Sequence, residues 1–178
     1  MARPNIENVL SLTDLQTTFD FALYIPRIPG VADSRQMSYR CTTASIPGTS
    51  IEPVQQRAHG VRIQQAGMRN YEDTFEFSII ETRDGMSRDM LIKWMNFARS
   101  WNNNGGGYKS EYAVPVELAL YDTKNVVTRG IKFINAWLSN IGSVSLDQSS
   151  SSVVTYAATL TYDFYEDLVA SQAAALGQ

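Results

Sequence analysis

The chain has 178 residues, the size of one compact domain, and 44% of them are hydrophobic, enough to build a core. Fifteen Lys and Arg against 18 Asp and Glu give a net charge of −3, which argues against a generally cationic nucleic-acid binder or a binder of anionic membranes. One cysteine, Cys41, and one histidine, His59, argue against a disulfide framework, a Cys-rich zinc site and most histidine-based nucleophilic catalysis.

Targeting signals are the next feature of the sequence. No apolar run approaches the roughly 20 residues that span a bilayer, the N-terminal residues lack a signal-peptide core, and Asn-x-Ser/Thr sequons are absent. We therefore expect a protein that is made and kept in a cytoplasm and does not insert into a membrane.

The first predicted strands follow an N-terminal segment, residues 1–17. From Thr18 onward, apolar and other residues alternate through Leu23 and Ile25, the period of a half-buried strand. Residues 36–45, rich in Tyr and Thr, predict a second strand. The segment 46–70 is weakly patterned, and its Pro and Gly residues favour a projecting hairpin or extended arm over a core element.

The middle of the chain contains the one strong helical pattern. A strand predicted at 71–81 ends at Asp84-Gly85, which turns the chain into a helix predicted at 85–101 and capped by Ser87 or Asp84. Its bulky apolar residues recur at the spacing of one helix face, and Lys93 and Arg99 lie largely on the opposite face. The residues predicted to pack this helix on the rest of the domain are Met90, Trp94, Phe97 and Trp101.

The last third predicts a hairpin over 114–138 and a long strand over 153–166, followed by a C-terminal tail, 167–178, with marginal helical character. A strand of about 14 residues spans about 46 Å, more than the roughly 40 Å diameter of such a domain. The strand is expected to curve strongly or to lie along a larger surface shared by several subunits. The fold class is therefore mainly β, an antiparallel sandwich or barrel with one flanking helix.

Charge is distributed unevenly. Arg57, Arg62 and Arg69 lie in a stretch, 54–70, that has no acid, whereas 133–178 has no Lys or Arg. The acids of that last part that we expect at subunit contacts are Asp147, Asp163 and Glu166. Such polarity suits head-to-tail contacts between identical subunits, and solvated surfaces are the alternative.

Five segments, in order along nearly the whole chain, resemble the tail tube protein of contractile-tailed bacteriophages. They are Ala2-Arg3-Pro4-Asn5, 41–48, 71–80 with the Trp-containing helix after it, Ala136-Trp137 with Ile141 and Leu146-Asp147, and 160–166. Leu138 is a departure, because the family commonly has proline after the tryptophan.

The resemblance implies a structural virion protein without enzymatic activity or cofactor, assembled in the host cytoplasm. Its protomers would form hexameric rings whose inner strands join into one barrel, and the rings would stack into a tube for double-stranded DNA. The arm 46–70 would contact the next ring, and Lys93 and Arg99 would face a tail sheath protein. Baseplate, tail terminator and tape measure proteins are the other implied partners.

Three alternatives stay open. A tailocin or contractile secretion system would use the same protomer for another cargo. A free β-sandwich binding module, for example for carbohydrate, would present exposed loop aromatics. A glycosidase would use paired acids from 72–76 or 163–167, although acids at strand ends are ordinary.

Overall fold

The computed structural model describes residues 16, 18, 20–149 and 151–169. In chain order these contain β1 (Phe21–Tyr24), α1 (Arg35–Arg40), β2 (Cys41–Ala44), β3 (Thr49–Ala58), β4 (Val61–Tyr71), β5 (Thr74–Ile80), α2 (Met86–Ala98), α3 (Lys109–Tyr112), β6 (Val114–Tyr121), β7 (Val127–Ile141), β8 (Thr155–Thr161) and β9 (Phe164–Val169). The prediction of a mainly β, antiparallel fold is confirmed. Most of the N-terminal segment and residues 170–178 of the predicted C-terminal tail lie outside the described residues, whereas 167–169 belong to strand β9.

Seven of the nine described strands form one antiparallel sheet, in the order β1-β6-β7-β8-β5-β2, with β9 also paired to β7. Strand β7 belongs to two layers. Its first half pairs with β6 and β9, and its second half, 137–141, pairs with β8. We call β1, β6, β9 and the first half of β7 the A layer, and β2, β5, β8 and the second half of β7 the B layer.

The change of layer occurs at Asn135, whose φ of 55° lies in the left-handed region. The carboxylate of Asp163, between β8 and β9, accepts hydrogen bonds from Asn135 Nδ2 at 2.9 Å and from Lys109 Nζ at 2.5 and 2.6 Å. These bonds, that from Lys109 foremost, hold the pKa of Asp163 below its ordinary value. The strand predicted over 153–166 is therefore two strands, because the chain turns a corner at Asp163.

The core lies between the two layers. Phe75 of the B layer and Phe133 of the A layer approach to 4.6 Å between ring centroids, and Tyr162 lies 4.9 Å from Phe133. Helix α2 contributes Trp94, which is fully buried and donates a hydrogen bond from Nε1 to the carbonyl of Tyr112 at 3.1 Å. Each large apolar side chain buried here adds about 1.5–3 kcal/mol of hydrophobic stabilisation.

The strand predicted over 36–45 is wrong in its first half, where the chain forms helix α1. The Asp33 carboxylate accepts the backbone N–H of Arg35 at 3.1 Å, and Ser34 donates to the carbonyl of Pro26 at 3.0 Å, so these two residues start the turn. Met37 is fully buried and fixes the helix to the core. A helix of six residues is too short to show a helical period in the sequence.

Helix α2 begins at Met86, with Gly85 in the left-handed region as its N-cap. Glycine has no side chain to cap with, and the Glu81 carboxylate takes that role by accepting the backbone N–H groups of Ser87 at 3.1 Å and Arg88 at 3.0 Å. The expectation that Ser87 caps the helix is wrong, because its buried hydroxyl donates to the carbonyl of Ile80. Asp84 accepts the N–H of Met86 at 3.3 Å.

The helix predicted at 85–101 ends at Ala98, three residues early. Arg99 is extended, with φ −150° and ψ 113°, and forms a β-bridge with Gly106. The chain therefore leaves the helix axis at Arg99 and pairs with the glycine-rich loop, which contains Gly105, Gly106 and Gly107. The prediction that Trp101 packs α2 on the domain is wrong, because Trp101 lies past the helix with 87% of its surface exposed.

We predict that Glu81→Ala lowers the free energy of unfolding by about 1 kcal/mol, the usual value of a lost N-terminal cap. Partial burial raises the pKa of Glu81, but the backbone N–H groups of Arg88, Thr82 and Ser87 outweigh burial and hold the pKa below its ordinary value. The stabilisation is therefore present above the unfolded-state pKa and is lost as pH falls through the lower folded-state value.

Urea unfolding of the wild type and Glu81→Ala, at neutral pH and near pH 3, measures this difference. Glu76→Ala, at an exposed position on β5, the strand that Glu81 directly follows, is the matched control. A gap between the wild type and Glu81→Ala that persists unchanged at the acidic pH would contradict the capping role.

Candidate subunit-assembly site

Strands β3 and β4 form a separate two-stranded sheet, as the sequence predicted for this segment. Every described side chain of β3 is exposed, and so are those of β4 on either side of Gly67. A two-stranded hairpin is at best marginally stable alone in water. The hairpin is therefore a candidate for contact with another surface.

The hairpin has one apolar and one polar face. Directly opposed residues share a face, and the pairs Gln56–Ile63 and Val54–Gln65 place Val54, Val61 and Ile63 together. Between 45% and 64% of the surface of each of these three side chains is exposed. We call this the apolar face. The opposite face carries Gln55, Arg57, Arg62 and Gln64.

The tip of the hairpin is a tight turn at His59-Gly60, where φ is 51° and 79°. Positive φ at both central residues defines the type I′ turn, whose twist matches that of the flanking strands. Beside it, Arg57 is directly opposite Arg62, and like charges in such pairs repel. An acidic partner from another subunit would relieve this repulsion.

The structure separates the third predicted arginine from this pair. Arg69 lies at the other end of the hairpin, with its guanidinium carbon 5.3 Å from the ring centroid of Tyr71. A bulge in β4 between the pairs Pro53–Ala66 and Ile51–Arg69 shifts the parity of that strand, so Arg69 stands opposite Ile51 on the side of the polar face. The predicted cationic arm is therefore a tip pair, Arg57 and Arg62, plus one arginine at the base.

The base of the hairpin is held firmly. Thr49 and Tyr165 share a hydroxyl hydrogen bond of 2.6 Å, and the ring of Tyr71 packs edge-on against Phe164 and Tyr165 at 5.7 and 5.9 Å. Tyr162 donates to the carbonyl of Glu72 at 2.5 Å, and burial raises the pKa of Tyr162 to about 12, which keeps it a donor. The hairpin therefore projects in an orientation set by the corner after β8.

The structure places the predicted acids at three separate points. Asp147 lies in the β7–β8 loop and accepts hydrogen bonds from Ser149. Asp163 is already paired with Lys109 at the corner. Glu166 is exposed on β9, opposite Lys132 in the strand register. Contacts of these acids with another subunit stay predictions.

The predicted sheath-facing surface lies on and after α2. Lys93 is exposed on the helix, and exposed Arg99 follows its end and donates to the carbonyl of Asn104 at 2.8 Å. Met90 and Trp94 are buried, whereas 43% of Phe97 is exposed. The sequence pattern did not predict the exposure of three aromatic residues that flank the glycine-rich loop along the chain, namely Phe97, Trp101 and Tyr108.

Among the described residues, no three His, Cys, Asp or Glu side chains lie close enough to hold a metal ion. The helices of this part of the chain are also too short or too polar for one of them to cross a membrane. The acids that would serve a glycosidase are exposed, and three of them engage other groups of the chain. Glu72 accepts the N–H of Gly48 at 2.7 Å, and Asp163 and Asp167 form ion pairs with Lys109 and Arg129.

A profile of the family described as "Phage tail tube protein" matches residues 13–167. The chain belongs to the phage tail tube protein family. Its curated relatives include tail tube protein gp19 of Enterobacteria phage T6, which is 24% identical over 136 residues, 74% of this chain and 82% of the relative. The predicted role as a structural tube protein is thus confirmed at the level of the family.

Solved structures with a similar fold include the following two. The tube-terminating cap of the anti-feeding prophage has a TM-score of 0.64 at 15% identity, over 89% of this chain and 94% of that one. The sheath-tube complex of the extracellular contractile injection system PVC contains a chain with a TM-score of 0.59 at 13% identity, over 94% and 99%. At these identities the likeness concerns the fold.

We predict that Ile63→Asp abolishes self-association of the protomer, because a carboxylate on the apolar face cannot be buried against a neighbouring subunit without a large desolvation cost. Since Ile63 is exposed in the protomer, the free energy of unfolding should change by less than about 0.5 kcal/mol. Light scattering coupled to size exclusion measures the association.

Gln64→Asp, one residue along on the polar face, introduces the same charge and is the control. Its association should remain close to that of the wild type. Assembly of Ile63→Asp with wild-type yield would show that the apolar face is not a contact.

Proposed function

We propose that this tail tube protein assembles into hexameric rings that stack into a hollow inner tail tube, the conduit for double-stranded DNA during ejection. The observation that carries the proposal is the exposed apolar face of the β3–β4 hairpin. About half of each apolar side chain is uncovered on a rigidly anchored element, which is the pattern of a surface that another subunit covers.

The sheet edges support ring formation. Strands β1 and β2 stand at the two ends of the described strand order, and each pairs with a single strand. Unpaired edges favour association with further strands, and closing the sheets of several protomers into one barrel removes them. The predicted contact of 46–70 with the next ring would then explain the exposed apolar face of the hairpin. Acids of that ring would neutralise the charges of Arg57 and Arg62.

The remaining partners follow from the position of an inner tube. A tail sheath protein would surround it at Lys93 and Arg99, and baseplate and tail terminator proteins would cover its ends. The tape measure protein and DNA would occupy the lumen without specific binding. In this role the protein is a virion component, assembled in the host cytoplasm, with neither catalytic activity nor a cofactor.

The second candidate is the tube of a tailocin or a contractile injection system. The shared fold with the PVC sheath-tube chain supports it, because such a tube would use the same protomer. The two functions differ in cargo, and nuclease-protected DNA inside tubes taken from particles would favour the phage tail.

Electron microscopy of the purified protein at several concentrations tests the assembly itself. We expect rings and tubes of uniform width, and sixfold symmetry in end views. Protein that stays monomeric at high concentration, also after addition of a baseplate-like nucleator, would contradict the tube and favour a free binding module.

Charge reversal of Lys93 and Arg99 to Glu tests the sheath-facing surface. We expect tubes to form normally while sheath assembly on them fails, because exposed charges steer and select partners more than they stabilise the protomer. Co-sedimentation of sheath protein with preformed tubes measures this. Arg83→Glu, at an exposed position before α2, is a control. Unchanged sheath assembly on the double variant would contradict the assignment of Lys93 and Arg99 to the sheath-facing surface.

A further inference from the structure

The outward face of the B layer has an unusual composition. Its residues follow from the strand register, in which Thr43, Ser78 and Ala157 stand in one row and Glu76, Thr159 and Asn140 in the next. Together with Ser45 they line an open, shallow depression across β2, β5, β8 and β7. We call this surface the hydroxyl strip.

The hydroxyl strip consists mainly of short, uncharged side chains. None of the described residues that line it is Lys or Arg, and Glu76 is the one charged residue among them. The strip is nevertheless well defined, because Ser45 Oγ bonds both the carbonyl and the N–H of Glu76, at 3.1 and 3.0 Å, and Ser139 Oγ donates to the carbonyl of Thr159 at 3.0 Å.

Three other surfaces of the described chain carry cations. The outward face of the A layer contains Lys132, 3.8 Å from Glu117. The outer surface of α2 presents Lys93, and the tip of the hairpin presents Arg57 and Arg62. Among these four surfaces, the hydroxyl strip alone lacks a positive charge in the described residues.

A DNA duplex moves freely only along a surface that does not hold its phosphates. Each cation that touches a phosphate releases counterions and adds affinity, whereas a neutral hydroxyl exchanges one hydrogen bond for another with water. A carboxylate such as that of Glu76 repels phosphates over roughly a Debye length, about 8–10 Å.

We infer that the hydroxyl strip lines the lumen of the tube and is the surface past which double-stranded DNA slides. The inference rests on the proposed tube. It fixes the orientation of the protomer in the ring, with the B layer inward at Ala157 and Thr159 and with the α2 surface at Lys93 outward.

Thiol labelling of assembled tubes tests this orientation. Ala157→Cys places a thiol in the centre of the strip, and Lys93→Cys places one on α2. The wild type supplies the background, because burial raises the pKa of the Cys41 thiol to about 12 and leaves it largely unreactive at neutral pH. Each tube is treated with a small maleimide and with a maleimide coupled to a protein too wide for the lumen.

The expected result is that both reagents label Lys93→Cys, while only the small reagent labels Ala157→Cys. Equal labelling of Ala157→Cys by the wide reagent would place the strip on the outside of the tube. Labelling by neither reagent would bury it between subunits, and both results would overturn the inference while leaving the tube intact. Failure of the wild type to form tubes would instead contradict the proposed function.

A second experiment tests the sliding of DNA. Ala157→Arg adds one cation per protomer to the lumen, and Asn96→Arg adds one to the exposed surface of α2. Short duplexes should bind within Ala157→Arg tubes, protected from nuclease, and lose about a thousandfold in affinity between roughly 50 and 200 mM salt if six arginines of a ring contact phosphates. Protection by Asn96→Arg but not by Ala157→Arg would contradict the lumen assignment.

Discussion

The structure depends on one strand that belongs to two layers. Strand β7 pairs with β6 and β9 before Asn135 and with β8 after it, so the left-handed turn at Asn135 sets how the layers face each other. Asp163 holds the corner by joining Asn135 to Lys109. The hydroxyl strip lies on β8, before this corner, and the base of the β3–β4 hairpin packs on Tyr165, after it. The corner therefore sets the position of the apolar face relative to the surface assigned to the lumen.

The sequence predicts those elements whose side chains alternate between core and solvent. Phe75 and Phe77 identify β5, and the β6–β7 hairpin is equally clear, because burial on one face imposes a period of two. Helix α1 escapes prediction because it spans less than two turns. The sequence pattern does not predict the end of α2, because this end depends on a bridge between Arg99 and Gly106, which lies beyond the helical pattern. The same bridge determines the position of Trp101.

The candidate site is predictable in part for the same reason. The alternation of Val61 and Ile63 with Arg62 and Gln64 identifies two faces of the arm, and the pairing of Arg57 with Arg62 then follows from the turn. The position of Arg69 does not follow from the alternation, because a bulge between Ile51 and Pro53 shifts the register. The hydroxyl strip combines residues from four strands, and only the order of those strands brings Thr43, Ala157 and Asn140 onto one surface.

In the proposed tube, the anchored hairpin would also give the stack of rings a direction. If each ring covers the apolar faces of the ring beside it, one end of the stack keeps a circle of uncovered Val61 and Ile63 side chains, and the other end keeps an empty receiving surface. The two ends then differ in the apolar surface that they expose and in the rate at which they add subunits, as in other head-to-tail polymers. A protein that stops elongation needs to match only one of these ends, and a protein that starts it needs to match the other.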